Sequence, residues 1–283
     1  VANILMVFVI FYFCFIGVCS VSNYLNDIDV KDSVGTICKS KSFGDFKIVS
    51  YSDSKNVLIE FINTGFLTST RSDCVRDGRV RDRLTSSVFG VGVIGNKRSL
   101  KVGGIATKEY NLWYTMLQRC FDEHSEGVLE TYKDCTVSEN FKSYEYFYDW
   151  CNNQVGFNIF DENDKPFEID KDLLIKGNKL YSENTCVFLP REINVALTKS
   201  NKTRGDYPIG VHWSNTKKVF IAQINKGGGS QKHLGQFDTE LEAFNAYKQA
   251  KESYLKELAN KWKDQIDVRA YKALMSYEVS IDD

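Results

Sequence analysis

The stretch Tyr207 to Ala250, YPIGVHWSNTKKVFIAQINKGGGSQKHLGQFDTELEAFNAYKQA, admits few folds, because three strand-like runs give way abruptly to one helical period. Ile209, Val211 and Trp213 alternate with Gly210 and His212; Val219, Ile221 and Ile224 belong to a second run, and His233 to Phe237 make a third. Ser214-Asn215-Thr216 and Gly227-Gly228-Gly229-Ser230 mark the turns between them. A helix follows: Thr239 and Glu242 have capping-box spacing, and Phe244, Tyr247, Tyr254, Leu255, Leu258 and Trp262 recur on one face at a period of 3.6. Three twisted strands and one amphipathic helix share a core only by packing sheet on helix, which leaves the second face of the sheet free.

That free face is basic. From Asn201 to Gln236 the chain carries Lys202, Arg204, Lys217, Lys218, Lys226 and Lys232 against one acid, Asp206. His212, Trp213, Gln223 and Asn225 add base-edge hydrogen-bonding groups and a flat apolar surface. A cationic ribbon so equipped suits a DNA major groove, which is wide enough to admit β-strands. The competing reading is a solvated sheet face with ordinary lysines. The net charge of the whole chain is -1, so the basic character is local, and a local patch of one sign can steer nucleic acid whatever the total.

The runs GVHW, FIAQI and HLGQFDTELEAFNAY resemble the Apetala/ethylene-response-factor DNA-binding domain. Its recurring elements are a Gly-Val start, an aromatic-x-Ala-x-Ile strand, a Leu-Gly-x-Phe strand and a helix with Glu-Ala-x-x-Ala-Tyr. Gly210, Val211, Phe220, Ala222, Ile224, Leu234, Gly235, Phe237, Thr239, Glu242, Ala243, Ala246 and Tyr247 fit that pattern. The resemblance implies duplex DNA binding through the sheet, with Trp213, Lys218 and Gln223 facing bases or phosphates; Arg204, His212, Lys217, Asn225 and Lys226 are further candidate contacts by their charge and hydrogen-bonding groups. His212-Trp213 stand where two arginines are common and His233 where a Trp is common, so no sequence preference carries over.

At 283 residues the chain has room for two or three small domains, and its 13% aromatic content is that of a globular protein. Its eight cysteines show no CxxC pair and no Cys/His knuckle spacing, which points away from structural zinc and towards a reducing compartment. Val1 to Cys19 is apolar apart from Asn3 and Gly17, about the length of a minimal membrane span. Three readings remain open for residues 1–20: a membrane anchor, a secretory signal without its cationic start, and translated sequence upstream of the true start.

Phe43 to Gly95 has the pattern of a small β module. FKIVSYS, a turn at Asp53-Ser54-Lys55-Asn56, and VLIEFIN make a hairpin with Val57, Ile59 and Phe61 on one face, and Gly65 and Gly78 punctuate the strands expected next. GVGVIG, Gly90 to Gly95, matches a dinucleotide-binding GxGxxG by letters only, since no βαβ unit surrounds it and turn glycines account for it. From Thr107 the period changes to that of helices: Trp113, Met116, Leu117 and Cys120 form one stripe, and Phe141, Tyr144, Tyr148 and Cys151 a second. Polar residues then crowd Pro166 to Asn194. Asp170 and Asp172, at alternate positions, project from one face of an extended strand, and oxygen ligands so placed suit Mg²⁺, which can polarise a scissile phosphate. A turn whose Asp and Asn side chains cap backbone groups is the alternative.

Trp113-x-x-Met116-Leu117-x-Arg119-Cys120, then Phe141-x-x-Tyr144-x-x-Phe147-x-x-Trp150, then IDKDLLIKGNKLYSENTC with PREIN resemble the HNH-type homing endonucleases of bacteriophages, in which an Apetala-type domain commonly follows the nuclease unit. Asp170 matches that pattern's Asp, Gly177-Asn178 its Gly-Asn and Asn184 its central Asn; with Asp172 from the alternation, the candidate ligands of Mg²⁺ or another divalent metal are Asp170, Asp172 and Asn178, and the candidate catalytic residues Asp170, Asp172, Asn184 and Lys171, the last as a contact for developing charge. Lys171 stands where the pattern has its general-base His, and of the three histidines only His124, in a polar loop, could be folded in.

The expected architecture is α+β: a small β module over residues 43–105, an HNH-like ββα-metal domain over 107–198, and over 201–283 a three-stranded antiparallel sheet packed on a helix. The expected function is sequence-specific binding of double-stranded DNA with metal-dependent phosphodiester cleavage, in the cytoplasm with the DNA and without a small-molecule cofactor. A non-catalytic DNA-binding protein with a degenerate HNH domain is the alternative, and the missing His favours it.

Overall fold

The structure, a computed structural model, describes residues 29–122, 132–198, 206–227 and 231–283; the apolar leader, His124, Lys202 and Arg204 lie outside them. The chain divides between Thr85 and Ser86 into two compact units. In the first, strands β1 (Ile37–Lys39), β2 (Asp45–Asp53), β3 (Asn56–Phe61) and β4 (Leu67–Thr70) form an antiparallel sheet in chain order, followed by the short helix α1 (Ser72–Arg76). Alternation decides its inner face: Val57, Ile59 and Phe61 are buried with Phe46 and Ile48. The Asp53 carboxylate closes the β2–β3 turn by accepting from the Lys55 amide (2.7 Å) and the Asn56 side chain (2.9 Å). Between Gly78 and Thr85 no strand forms, and residues 86–105, expected to complete this module, belong to the second unit.

That second unit spans Ser86–Asp283 and holds both parts that the sequence pattern separates at about residue 200. After the β5 (Lys101–Val102) and β6 (Ile105–Ala106) hairpin comes α2 (Lys108–Phe121), whose first turn is capped by the Thr107 hydroxyl accepting from the Tyr110 amide. Strand β7 (Thr136–Val137) precedes α3 (Tyr144–Asn152), capped in the same way by Ser143. Both helices contribute to one core, which Phe141 joins from a 3₁₀ turn (Asn140–Lys142) ahead of α3 rather than from the helix itself. Trp113, Met116 and Leu117 are buried with Phe141, Tyr144 and Phe147, and the Trp113 indole donates to the Phe141 carbonyl at 2.8 Å. Gly92 lies against α2 so closely that a Cβ there would stand 2.5 Å from Leu117 and 2.9 Å from Trp113. Close packing therefore accounts for the central glycine of GVGVIG.

Next come β8 (Glu168–Asp170), β9 (Leu180–Tyr181), β10 (Val187–Leu189) and α4 (Arg191–Leu197). β8 and β10 pair antiparallel, Asp170 opposite Val187, and β7 and β9 pair parallel. The C-terminal part has the expected form: β11 (Val211–Ser214), β12 (Val219–Asn225) and β13 (Gln231–Phe237) make an antiparallel sheet in that order, and α5 (Glu240–Trp262) packs across it. Thr239 and Glu242 form the anticipated capping box. Ala243, Phe244 and Tyr247 on α5 are buried with Val211, Ala222 and Ile224 of the sheet, and α6 (Val268–Met275) covers the far end of α5. Among the described residues no helix is long and apolar enough to cross a membrane, and the six described cysteines are free thiols.

Gly210 shows why the Gly-Val start is needed. Its φ is +79°, and a Cβ there would sit 2.0 Å from the Tyr247 ring, so helix and sheet approach this closely only over a glycine. Phe244→Ala should cost about 3–5 kcal/mol through lost packing, and Gly210→Ala should destabilise through both strain and clash. Urea unfolding of the full chain checks both; unchanged midpoints would mean that this contact does not hold helix to sheet.

Candidate nucleic-acid interface

Register decides which side chains the three-stranded sheet displays. Val211 pairs with Ala222, Trp213 with Phe220 and Phe220 with Phe237, so these share the face that α5 covers. His212 pairs with Ile221, Ile221 with Gln236, and, past a bulge after Ala222, Gln223 with His233 and Asn225 with Gln231; these make the outer face. Trp213 was expected to face DNA. The structure corrects this: it lies on the helix side, edge-on to Phe220 with ring centroids 4.8 Å apart, because side chains two apart on a strand point the same way.

The outer face is polar and uncommitted. His212, Asn225, Gln231, His233 and Gln236 are exposed and Gln223 half-buried, and within the described residues no hydrogen bond engages the side chains of His212, Gln223, Gln231, His233 or Gln236. Asn225 spends its carbonyl on the Gly227 amide (2.8 Å), leaving its two N–H donors. Lys217 and Lys218 project from the β11–β12 turn, whose shape is held by the Lys218 amide donating to the Ser214 carbonyl at 2.8 Å. Lys226 is turned away: its ammonium donates to Glu257 (2.9 Å) and lies over the Tyr254 ring on α5. Arg204 falls outside the described residues.

The second candidate group occupies the long loop between β8 and β10. Asp170 ends β8, and one of its carboxylate oxygens accepts from the Asp172 amide (3.0 Å) and the Leu173 amide (2.7 Å). The strand stops there, so Asp172 is not its same-face neighbour. Lys171 is buried, and its ammonium grips both Asp172 oxygens (2.7 and 2.8 Å) and the Asn178 carbonyl (3.1 Å). Asn178 uses its side chain on the backbone, donating to the carbonyls of Lys171 (2.8 Å) and Leu180 (2.7 Å) and accepting from the Leu180 amide (3.2 Å). Asn184 is exposed at the turn before β10. Its side chain makes none of these bonds.

Burial pushes the Asp170 carboxyl above its ordinary value, with Asp172 adding to the shift; the two amides and Lys171 pull the other way. A divalent metal needs carboxylate oxygens converging on open space. Here an ammonium holds both oxygens of Asp172, backbone amides hold one of Asp170, and the Asn178 oxygen is bonded within the loop. The donor set does not fit a metal. It fits a loop that uses its polar side chains in place of regular secondary structure. No spacing in the chain signals the Lys171–Asp172 grip, which joins chain neighbours across a bend. Comparison of the chain with protein-family models, with curated proteins and with solved structures finds no match.

Because the folded-state value of Asp170 is raised, its effect on folding is most favourable when it is protonated and is lost as pH rises through that value. Asp170→Asn keeps an oxygen for the two amides, so its stability relative to the natural protein should rise from acid to neutral pH. Asp170→Ala also loses the amide bonds, about 1–3 kcal/mol, so it should be the less stable of the two variants throughout, and its deficit against the natural protein should be largest in acid. Chemical denaturation at a series of pH values tests this; a pH-independent difference for Asp170→Asn would contradict it.

Proposed function

We propose that this protein binds double-stranded DNA, sequence-specifically, through the outer face of β11, β12 and β13, and that the loop between β8 and β10 is a scaffold without nuclease chemistry. One observation carries the reading: a sheet backed on one face by α5 presents on the other a set of unbonded amide and imidazole groups at strand spacing, with Lys217 and Lys218 at its end. Gln and Asn offer paired donors and acceptors to an adenine edge, and a β-sheet fits the major groove. The resemblance to the Apetala-type domain supports the same face and the same ligand.

The order β8, β10, α4 is that of a ββα unit, with the Asn194 side chain on α4 donating to Glu168 of β8 at 3.1 Å, and this supports a relationship to the HNH fold. Its chemistry is another matter. At the place of the general base stands Lys171, buried with three acceptors around its ammonium, and a proton acceptor must have a free lone pair. The reading is therefore of a DNA-binding protein that keeps an HNH-like frame as structure. A DNA partner places it in the cell compartment that holds the DNA.

The full chain, titrated against labelled duplexes at several salt concentrations, should show log K falling with log salt at a slope of roughly -4 if four or five cations neutralise phosphates. Lys217→Ala with Lys218→Ala should flatten that slope by about 2 while leaving base preference intact, and Gln223→Ala should cost about 1–3 kcal/mol of discrimination at one base pair. Salt-independent or absent binding would remove the proposal. Supercoiled plasmid incubated with the full chain and Mg²⁺ or Mn²⁺ should stay supercoiled; nicking that disappears in the Asp170→Ala, Asp172→Ala double variant would restore the endonuclease reading.

A further inference from the structure

A cleft of about 1010 Å³ is lined by His212 and Gln223 of the sheet, by Arg191 of α4 and by Lys251 and Lys261 of α5. Charge in its walls is matched nearly everywhere. Lys261 lies between Glu192 (2.8 Å) and Glu162 (3.2 Å), Lys226 donates to Glu257 (2.9 Å), and Arg191 stands 4.0 Å from Glu168. Asp161 uses its carboxylate on the Asn163 and Lys165 amides of its own turn, both at 2.9 Å.

Lys251 is the exception. It is half-buried on α5, and within the described residues it makes no hydrogen bond or ion pair. Its neighbour Lys248, by contrast, donates to the Val279 carbonyl (2.9 Å) and pairs with Glu252 (3.5 Å). A second, small cavity adjoins Lys251 on its other side, lined also by Asp283, but that carboxylate is taken by Lys176 (2.6 Å) and by the Ser280 amide (2.9 Å). Burial with no offsetting carboxylate holds the Lys251 ammonium below the usual lysine range. An ammonium removed from water without a counter-charge is a standing cost, and an anion entering the cleft removes it.

We infer that the cleft is a phosphate-binding site in which Lys251 is the charged contact, with Arg191 at its rim. This rests on the DNA-binding reading for the source of the phosphate: a duplex lying on the outer face, over His212 and Gln223, brings its backbone to the cleft mouth. A free phosphate or nucleotide carries the same chemistry. Lys251 thereby adds a contact from α5, the element that covers the opposite face of the sheet.

The test uses the full chain as wild type, Lys251→Met and Lys251→Arg, read by melting temperature and by duplex binding. Inorganic phosphate, against chloride at equal ionic strength, should raise the wild-type melting temperature and leave Lys251→Met unmoved. Without phosphate, Lys251→Met should melt at or above the wild type, since the substitution removes an unmatched charge; a structural lysine would give the opposite sign. In duplex titrations Lys251→Met should flatten the salt slope by about 1, and Lys251→Arg should restore it. Phosphate protection through Lys251 without duplex binding would leave the cleft site standing and remove the DNA reading. Duplex binding with an unaltered slope in Lys251→Met, and equal phosphate responses in both proteins, would do the reverse and overturn this inference.

Discussion

One helix face holds the second unit together. α5 has 23 residues and so runs about 34 Å, longer than the sheet it covers needs. Its first turns bury Ala243, Phe244 and Tyr247 against β11 to β13; its last turns bury Leu255, Leu258, Ala259 and Trp262 away from the sheet. Trp262 meets Phe167 edge-on at 5.5 Å between centroids and donates from its indole to Glu192 on α4 at 3.1 Å. At about 1.5–3 kcal/mol for each large side chain fully buried, this stripe outweighs any ion pair on the surface. Sheet and ββα unit are consequently parts of one core and not beads on a linker. The cleft between them inherits its shape from that packing.

What was legible in the chain is what depends on near neighbours. Alternation over Val57 to Phe61, the spacing of Trp113, Met116 and Leu117, and the Thr239–Glu242 box each involve residues a few positions apart, and each formed as expected. The outer-face assignment of Trp213 rested on the Apetala-type resemblance and on its flat apolar ring, whereas strand alternation gives Trp213 the parity of Val211. Pairing across long loops left no local trace. β8 and β10 are three residues each, and β7 finds β9 through two pairs, Thr136 with Leu180 and Val137 with Tyr181. Strands so short carry too few residues for a period of two to register.

The polar loop after β8 illustrates how one composition serves two purposes. Asp, Asn, Lys and Thr in close succession suit a metal centre, and they suit equally a backbone that must turn repeatedly away from water. Thr185 shows the second use: its hydroxyl lies 2.9 Å from that of Ser182, donates to the Leu180 carbonyl at 2.7 Å and accepts from the Ser182 amide at 3.1 Å. Each such bond satisfies a group that no ladder or helix reaches. Lys171 completes the pattern. A buried ammonium is tolerable only with acceptors around it, and Asp172 and the Asn178 carbonyl supply them; the same acceptors are then lost to any metal.

The balance of charge and hydrogen bonding on the outer face sets the kind of recognition it can perform. Cations reach phosphates wherever DNA is met, so a face rich in lysine binds every sequence and discriminates little. Here the strands themselves carry His212, Gln223, Asn225, Gln231, His233 and Gln236, while Lys217 and Lys218 stand at the turn and Lys226 is held by Glu257. A chain of net charge -1 adds no long-range attraction to compensate. If the proposed role holds, affinity for random duplex should accordingly be low, with most of the binding energy from base edges that match. On the proposed DNA-binding role, cations at the margins with neutral amides and imidazoles at the centre would place the phosphates first and leave the bases to groups whose desolvation is repaid only by the right partner.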